Sequence, residues 1–100
     1  MTNSFNLPAC EEDIERTTES IKAMAHPLRL KILFTLDSNE ITVNDIAYRV
    51  GSSQSNISQH LSFMRDKGIL SSRKISNQVF YRIDDSRTMS LVDMIQKVYQ

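Results

Sequence analysis

The side chains best suited to recognition chemistry form one short run just past the middle of the chain. They are Gln54, Ser55, Asn56, Ser58 and Gln59. Glutamine and asparagine can form two hydrogen bonds with adenine, and serine can bond several bases or a phosphate. Serine and asparagine are mediocre helix formers, so their concentration favours a DNA-reading surface over the incidental polar face of a helical hairpin.

Residues 42–67 predict the two short helices and the tight turn that present this surface. Apolar residues in the first helix recur three and four positions apart, as on a helix with one buried face. In the first helix these residues are Val43, Ile46, Ala47 and Val50. The second helix has a similar buried row: Ile57, Leu61 and Met64. Thr42 is expected to cap the first helix, Gly51 to end it, and Ser52 or Ser53 to cap the second. This is a helix-turn-helix pattern.

A second group of residues is expected to hold the protein on the DNA backbone. It comprises Ser53, His60, Arg65, Arg73, Lys74 and Arg82. Three of these cations lie in residues 69–83, where two β-prone runs flank a small polar turn at residues 76–78 and predict a β-hairpin, or wing. The alternative is a solvated hairpin whose charges guard its edge. For His60, packing or a phosphate contact is expected rather than metal binding or catalysis, and His26 is expected to be a cap or a hinge.

Helices are predicted on both sides of this unit. Residues 11–25 form an amphipathic pattern, Pro27 opens an apolar helix that ends at Leu36, and residues 86–100 carry apolar side chains on more than one side. A terminal helix of that kind needs two apolar neighbours. We therefore expect residues 11–25 and 86–100 to form a homodimer interface, the alternative being a helix packed across the monomer's own core.

Length and charge limit the class of protein. One hundred residues suit a single domain, residues 1–100, with residues 1–10 as a mobile lead. The net charge is zero, but residues 1–25 balance at −3 and residues 26–83 at +4, so the basic excess coincides with the reading surface. No apolar run is long enough to cross a bilayer and the first residues lack a secretory signal, so a cytoplasmic protein without a membrane partner is expected.

Three segments together resemble a known family. They are AMAHPLRLKIL at residues 23–33, EITVNDIAYRVGSSQSNISQHLSFMRDKGIL at residues 40–70 and VFYRI at residues 79–83. In this order and spacing they resemble the ArsR/SmtB family of bacterial transcriptional repressors, most of all its HlyU/BigR/NolR-like branch. The resemblance implies a homodimer that binds an inverted repeat in promoter DNA and usually blocks transcription.

The metal-sensing positions that the resemblance implies hold other residues here. The family's site on the first helix of the helix-turn-helix uses two cysteines, and Thr42 and Asn44 stand there. At the C-terminal zinc site Asp85 matches the family, but Arg87 and Val98 occupy the histidine positions. No metal site and no cofactor are therefore expected.

The thiol switch of the redox-responsive branch is also missing its residues. Phe34 and Gln100 stand where the resemblance implies two cysteines. Cys10 is the single cysteine of the chain, and an incidental reduced thiol is expected there. The alternative is a redox site, in which Cys10 forms an intersubunit disulfide or reacts with an oxidant, or a ligand of a metal site. The inducer, if there is one, stays unknown.

The predicted fold is mainly α-helical with a small β-hairpin wing, a winged helix-turn-helix that dimerises through its terminal helices. The predicted function is a homodimeric, sequence-specific transcriptional regulator that represses from an inverted-repeat operator in double-stranded DNA. The alternative is an interaction module that acts as an antirepressor by heterodimerising, without strong DNA binding of its own. An enzyme is not expected, because the sequence has no glycine-rich phosphate loop and no nucleophile with a suitably spaced base.

Overall fold

The computed structural model describes residues 11–100 as five helices and three short strands. In chain order these are α1 (Glu11–Met24), α2 (Pro27–Leu36), β1 (Ile41–Thr42), α3 (Val43–Val50), α4 (Gln54–Asp66), β2 (Leu70–Ile75), β3 (Gln78–Ile83) and α5 (Ser86–Tyr99). The mainly helical winged helix-turn-helix prediction is confirmed. The predicted mobile lead, residues 1–10, and with it Cys10, lie outside the described residues.

Helix α2 lies at the centre of the core. Ile32, Leu33 and Leu36 are completely buried, and the helix packs against α1, α3, α4, α5 and β3. Pro27 occupies its first turn, where a missing amide hydrogen costs nothing. The Nδ1 atom of His26 accepts a hydrogen bond from the Leu28 amide at 3.1 Å, so His26 is the predicted cap.

Local caps fix the helix-turn-helix. The Thr42 hydroxyl accepts a hydrogen bond from the Asp45 amide at 3.2 Å and caps α3, and Gly51 ends that helix with a φ of 79°. The hydroxyl of Ser53, rather than that of Ser52, caps α4 by accepting a hydrogen bond from the Asn56 amide at 3.1 Å. The predicted inward row of α4 is buried: Ile57, Leu61 and Met64.

The wing contains one strand more than the sequence predicts. Strands β2 and β3 form the expected antiparallel hairpin, and β1 adds to the other edge of β3, so the strand order is β1-β3-β2. Ile41 pairs with Tyr81, and both side chains are buried. A hairpin alone was expected because a two-residue strand that runs straight into a helix is too short to display an alternating pattern.

The hairpin turn is one residue shorter than the predicted polar turn. Ser76 and Asn77 both have positive φ, at 47° and 69°, and Ile75 pairs directly with Gln78. This is a two-residue turn of the kind whose twist suits a β-hairpin. Gln78 is therefore the first residue of β3 rather than part of the turn.

The terminal helices bury only part of their apolar surface. In α5, which Asp85 caps, Val92 and Thr88 face the core. Four apolar residues of the same helix are exposed: Leu91, Met94, Val98 and Tyr99. In α1, Ala23 and Met24 are buried whereas Ile21 is half exposed. Ala25, the last residue of the segment predicted as an amphipathic helix, follows the helix and is exposed. No helix among residues 11–100 is long and apolar enough to span a bilayer.

Candidate nucleic-acid interface

The outer face of α4 carries the predicted reading residues. Because Ile57 and Leu61 point into the core, the first two turns present polar side chains to solvent. Gln54, Ser55, Asn56 and Gln59 are exposed, and Ser58 is half-buried. They lie at the amino-terminal end of the helix, where a recognition helix contacts base edges.

Two of the predicted DNA contacts also hold the turn before α4. Ser53 is its cap, and the Asn56 side-chain amide donates a hydrogen bond to the Ser52 hydroxyl at 3.0 Å. Among the described residues, neither Gln54 nor Gln59 has a side-chain hydrogen bond within the protein. These two glutamines therefore have both donor and acceptor available for a base.

A small cleft joins the reading face of α4 to the wing. It has a volume of about 200 Å³ and is bounded by the start of α3, the outer side of α4 and the tip of the hairpin. Its lining residues are Thr42, Val43, Asn44, Gln54, Ser58, Asn77, Gln78 and Val79. None of the residues lining it is acidic, so the cleft presents hydrogen-bonding groups to an anionic backbone without repelling it.

The wing cations lie on opposite faces of the sheet. Cross-strand pairs place Lys74 beside Val79, which packs against the core, whereas Arg73 lies beside Phe80 on the other face. Arg82 shares the face of Phe80, since residues two apart on a strand point the same way. Lys74 thus lies on the side of the hairpin that faces α3 and α4, and the two arginines lie on the side away from them.

Both wing arginines already have carboxylate partners. Arg73 donates two hydrogen bonds to the Glu40 carboxylate, at 2.8 and 2.6 Å, and Arg82 lies 3.0 Å from Asp84. The bond from Arg73 lowers the pKa of Glu40, so this carboxylate stays ionised across the neutral range. Lys74 has no ion-pair partner in the described part of the chain. A phosphate contact by either arginine stays a prediction, because the arginine must first leave its carboxylate partner to bind a phosphate.

The other two predicted backbone contacts differ in exposure. Arg65 is exposed and lies 3.7 Å from Asp66. His60 is half-buried, with its Nδ1 atom accepting a hydrogen bond from Nε of Arg29 at 3.3 Å. The histidine thus packs against α2, and its contact with a phosphate stays a prediction. Burial, followed by the charges of His26 and Arg29, lowers the pKa of His60.

The positions where the family resemblance implies sensors have structural roles here. Thr42 caps α3, and Asp85 binds the Arg87 guanidinium at 3.0 Å while accepting its backbone amide hydrogen. Phe34 packs against the core. Threonine and asparagine do not suit a soft metal ion, and Asp85 is occupied by an arginine. Within residues 11–100, histidine, cysteine and acidic side chains form no group of three that could hold a metal.

Comparison with known proteins identifies the family. Residues 26–72 match the sequence model described as bacterial regulatory protein, arsR family. Over 95 residues the chain is 33% identical to the transcriptional activator HlyU of Vibrio cholerae, covering 95% of this chain and 88% of HlyU. The chain belongs to the ArsR family. It is accordingly a DNA-binding transcriptional regulator.

Other members have the same fold or similar sequence. The structure of Vibrio cholerae HlyU superposes on this ArsR-family chain with a TM-score of 0.87 and 32% identity, over 90% of this chain and 98% of HlyU. The nodulation protein NolR of Rhizobium meliloti is 34% identical over 92% of this chain and 75% of its own. The biofilm growth-associated repressor of Xylella fastidiosa is 29% identical, over 88% of this chain and 81% of the repressor. The resemblance to the HlyU/BigR/NolR-like branch is confirmed.

Two residues that shape this interface could not be predicted from local patterns in the sequence. Glu40 holds Arg73, and Arg29 holds His60, across sequence separations of 33 and 31 residues. Strand alternation could have shown that Glu40 and Thr42 share a face, had β1 been recognised. No local signal in the sequence pairs Arg29 with His60.

Proposed function

We propose that this ArsR-family chain is a homodimeric repressor that binds an inverted-repeat operator and lacks the family's usual metal and dithiol sensor sites. The observation that carries the proposal is the combination of two surfaces on one small domain. One is the exposed polar face of α4, and the other is the exposed apolar side of α5.

The apolar side of α5 supports a second copy of the chain as its partner. Leu91, Met94 and Val98 are three and four residues apart, so they form one stripe along the helix. Ile21 of α1 adds to the apolar surface near a groove of about 930 Å³ between α1 and α5. An exposed apolar stripe of this kind marks an interaction surface, and the same helices from two copies make a self-complementary, two-fold interface.

A two-fold dimer suits an inverted repeat. It presents two copies of α4, which can enter successive major grooves about 34 Å apart. We assign base reading to Gln54, Ser55, Asn56, Ser58 and Gln59. We assign contacts with the DNA backbone to Ser53, His60, Arg65, Arg73, Lys74 and Arg82, with Lys74 the wing cation that is free to bind a phosphate without leaving a carboxylate.

Repression requires only that the bound dimer cover promoter DNA, so it needs no surface beyond those already described. The Xylella relative is named a repressor, whereas the Vibrio relative is named an activator. Two of the residues at the family's sensor positions, Thr42 and Asp85, cap helices in this chain, which supports the absence of metal sites there. Regulation of this chain would then depend on chemistry other than the family's metals and disulfides.

Selection from a pool of random duplexes tests the proposal directly. The purified chain should enrich sequences with two inverted half-sites whose centres lie about 10 base pairs, or one helical turn, apart. A duplex carrying both half-sites should bind two chains, and a duplex carrying one half-site should bind much more weakly. Enrichment of isolated, unpaired half-sites would contradict the dimeric arrangement.

The interaction-module alternative is favoured by one observation, the zero net charge of the chain. It predicts little affinity for DNA and little dependence on salt. A DNA-binding dimer instead releases counterions, so its affinity for the selected duplex should fall steeply as salt is raised from about 50 to about 200 mM. A flat, weak response to salt would favour the alternative.

Replacing Lys74 by alanine should weaken binding to all sequences alike. The variant loses one phosphate contact, so the slope of log affinity against log salt should become shallower by about 1. Lys97→Ala is the matched control, because it removes the same charge from α5, where Lys97 pairs with Asp93 and no DNA contact is assigned, and we expect little change in slope. Binding isotherms at several salt concentrations give both slopes, and equal effects of the two variants would contradict the assignment of Lys74.

A further inference from the structure

One arginine of α2 connects three helices beneath the reading surface. The Arg29 side chain donates a hydrogen bond from Nη1 to the Ala23 carbonyl oxygen in α1, at 3.0 Å. It donates another from Nε to Nδ1 of His60 in α4, at 3.3 Å. Its guanidinium also lies over the Phe63 ring, 4.1 Å from the centroid, one turn further along α4. Arg29 therefore contacts two successive turns of the helix that carries the base-reading residues.

His60 lies between Arg29 and a second histidine. The ring centroids of His26 and His60 are 4.7 Å apart, and His26 is itself held in place because its Nδ1 atom caps α2. The bond from Arg29 requires a lone pair on Nδ1 of His60, so the imidazole is neutral and carries its proton on Nε2. A proton on Nδ1 removes that lone pair and places a positive charge beside an arginine.

No carboxylate in the described part of the chain offsets that charge. On α1, Glu19 lies 3.7 Å from Lys67 and 3.8 Å from Lys22, not against His60. On α3, Asp45 and Arg49 are exposed, and on β2, Arg73 is bound to Glu40. The charged or titratable groups that act on His60 are thus His26 and Arg29, and both oppose its protonation.

We propose that Arg29 is a positioning residue for the recognition helix and that it holds α4 through His60 only while that imidazole is neutral. Acid then loosens the base-reading surface without any ligand. The consequence for DNA binding rests on the function proposed above. The positioning itself is a property of the free protein and can be measured without DNA.

The direction of the effect follows from proton linkage. The folded chain lowers the pKa of His60 below its unfolded value of about 6.5, so the unfolded chain binds the proton more readily. The contribution of the Arg29–His60 bond to stability is complete above about pH 6.5. It is lost as the pH falls from there through the lower pKa of the folded state.

Hydrogen exchange and NMR on the free chain test the proposal. We expect the amides of α4 to lose protection, corrected for intrinsic exchange, between about pH 7.5 and about pH 5.5. The variant His60→Asn has an amide oxygen at the position of Nδ1, and this amide does not titrate. The pH-dependent loss of protection in α4 should therefore disappear in this variant. His26→Asn keeps a good helix cap and leaves His60 in place, so the loss should persist with a higher midpoint. An NMR titration of the unmodified chain should show His60 titrating below the ordinary value.

The outcomes separate this proposal from the function on which its consequence rests. A pH-dependent loss in His60→Asn equal to that of the unmodified chain, or a His60 that titrates at or above its ordinary value, would overturn the positioning role. If the selected duplex binds, and its affinity for the unmodified chain and for His60→Asn falls equally in acid, the proposed link between Arg29 and DNA binding is wrong. If exchange behaves as expected but no duplex binds at any pH, the proposed function fails and the positioning role stands.

Discussion

Replacing Met94 and Val98 by glutamate is expected to leave the chain monomeric and to weaken operator binding by about 10² to 10⁴-fold. Both side chains are more than half exposed in the single chain, and they lie one turn apart on α5. At the proposed two-fold interface each introduced glutamate would bury an unpaired carboxylate, and burial of an unpaired charge strongly destabilises the dimer. The large loss in affinity arises because the second half-site would no longer be held at a high effective concentration.

The fold should survive this double substitution, since the residues of α5 that face the core are Val92 and Thr88. Lys97→Glu is a matched control. It changes the net charge by the same amount, but it lies on the polar side of α5, where Lys97 pairs with Asp93 at 3.8 Å. Sedimentation gives the oligomeric state and fluorescence anisotropy gives the affinity. A double variant that still sediments as a dimer would show that α5 is not the interface.

Gln59→Ala is expected to relax the choice of base at one position in each half-site. A bidentate contact contributes about 1 to 3 kcal/mol of discrimination, or roughly 5- to 150-fold in relative affinity. Gln59 is exposed, and its amide has no partner among the described residues, so removing it costs the free protein little. Asn56 is a less clean target, because its amide also holds the turn through Ser52.

Competition between the selected operator and its single-base variants measures this effect. The unmodified chain should discriminate strongly at the position read by Gln59, and the variant should bind all four bases there with similar affinity. Gln100→Ala is the control, an exposed glutamine at the other end of the chain. Equal weakening of binding to every duplex would mean that Gln59 contacts the backbone rather than a base.

The helix-turn-helix could be predicted because its determinants are local. Apolar residues spaced three and four apart predicted the buried sides of α3 and α4. Thr42 and Gly51 marked the two ends of α3, and Ser52 or Ser53 marked the start of α4. The hairpin was equally visible from its β-prone runs. Each of these features depends on residues that are close together in the sequence.

The faces of the wing could not be predicted in the same way. Strand side chains alternate, so a turn longer or shorter by one residue moves each side chain to the other face. The polar segment at residues 76–78 did not reveal that the turn contains only Ser76 and Asn77. Whether Arg73 or Lys74 faces α4 therefore became clear only from the pairing of β2 with β3. The same limit applies to Arg29, whose partners come from two other helices.

The short strand β1 has a mechanical consequence. Thr42 is both its last residue and the cap of α3, while β1 is hydrogen-bonded to β3 and Glu40 clasps Arg73 beyond it. The hairpin is thus joined to the first helix of the helix-turn-helix by the pairing of β1 with β3 and by the Glu40–Arg73 ion pair, and we expect the two to move together. Binding to DNA should then cost this unit little conformational entropy, and in the proposed dimer a change in half-site spacing would require a change in the angle between the subunits.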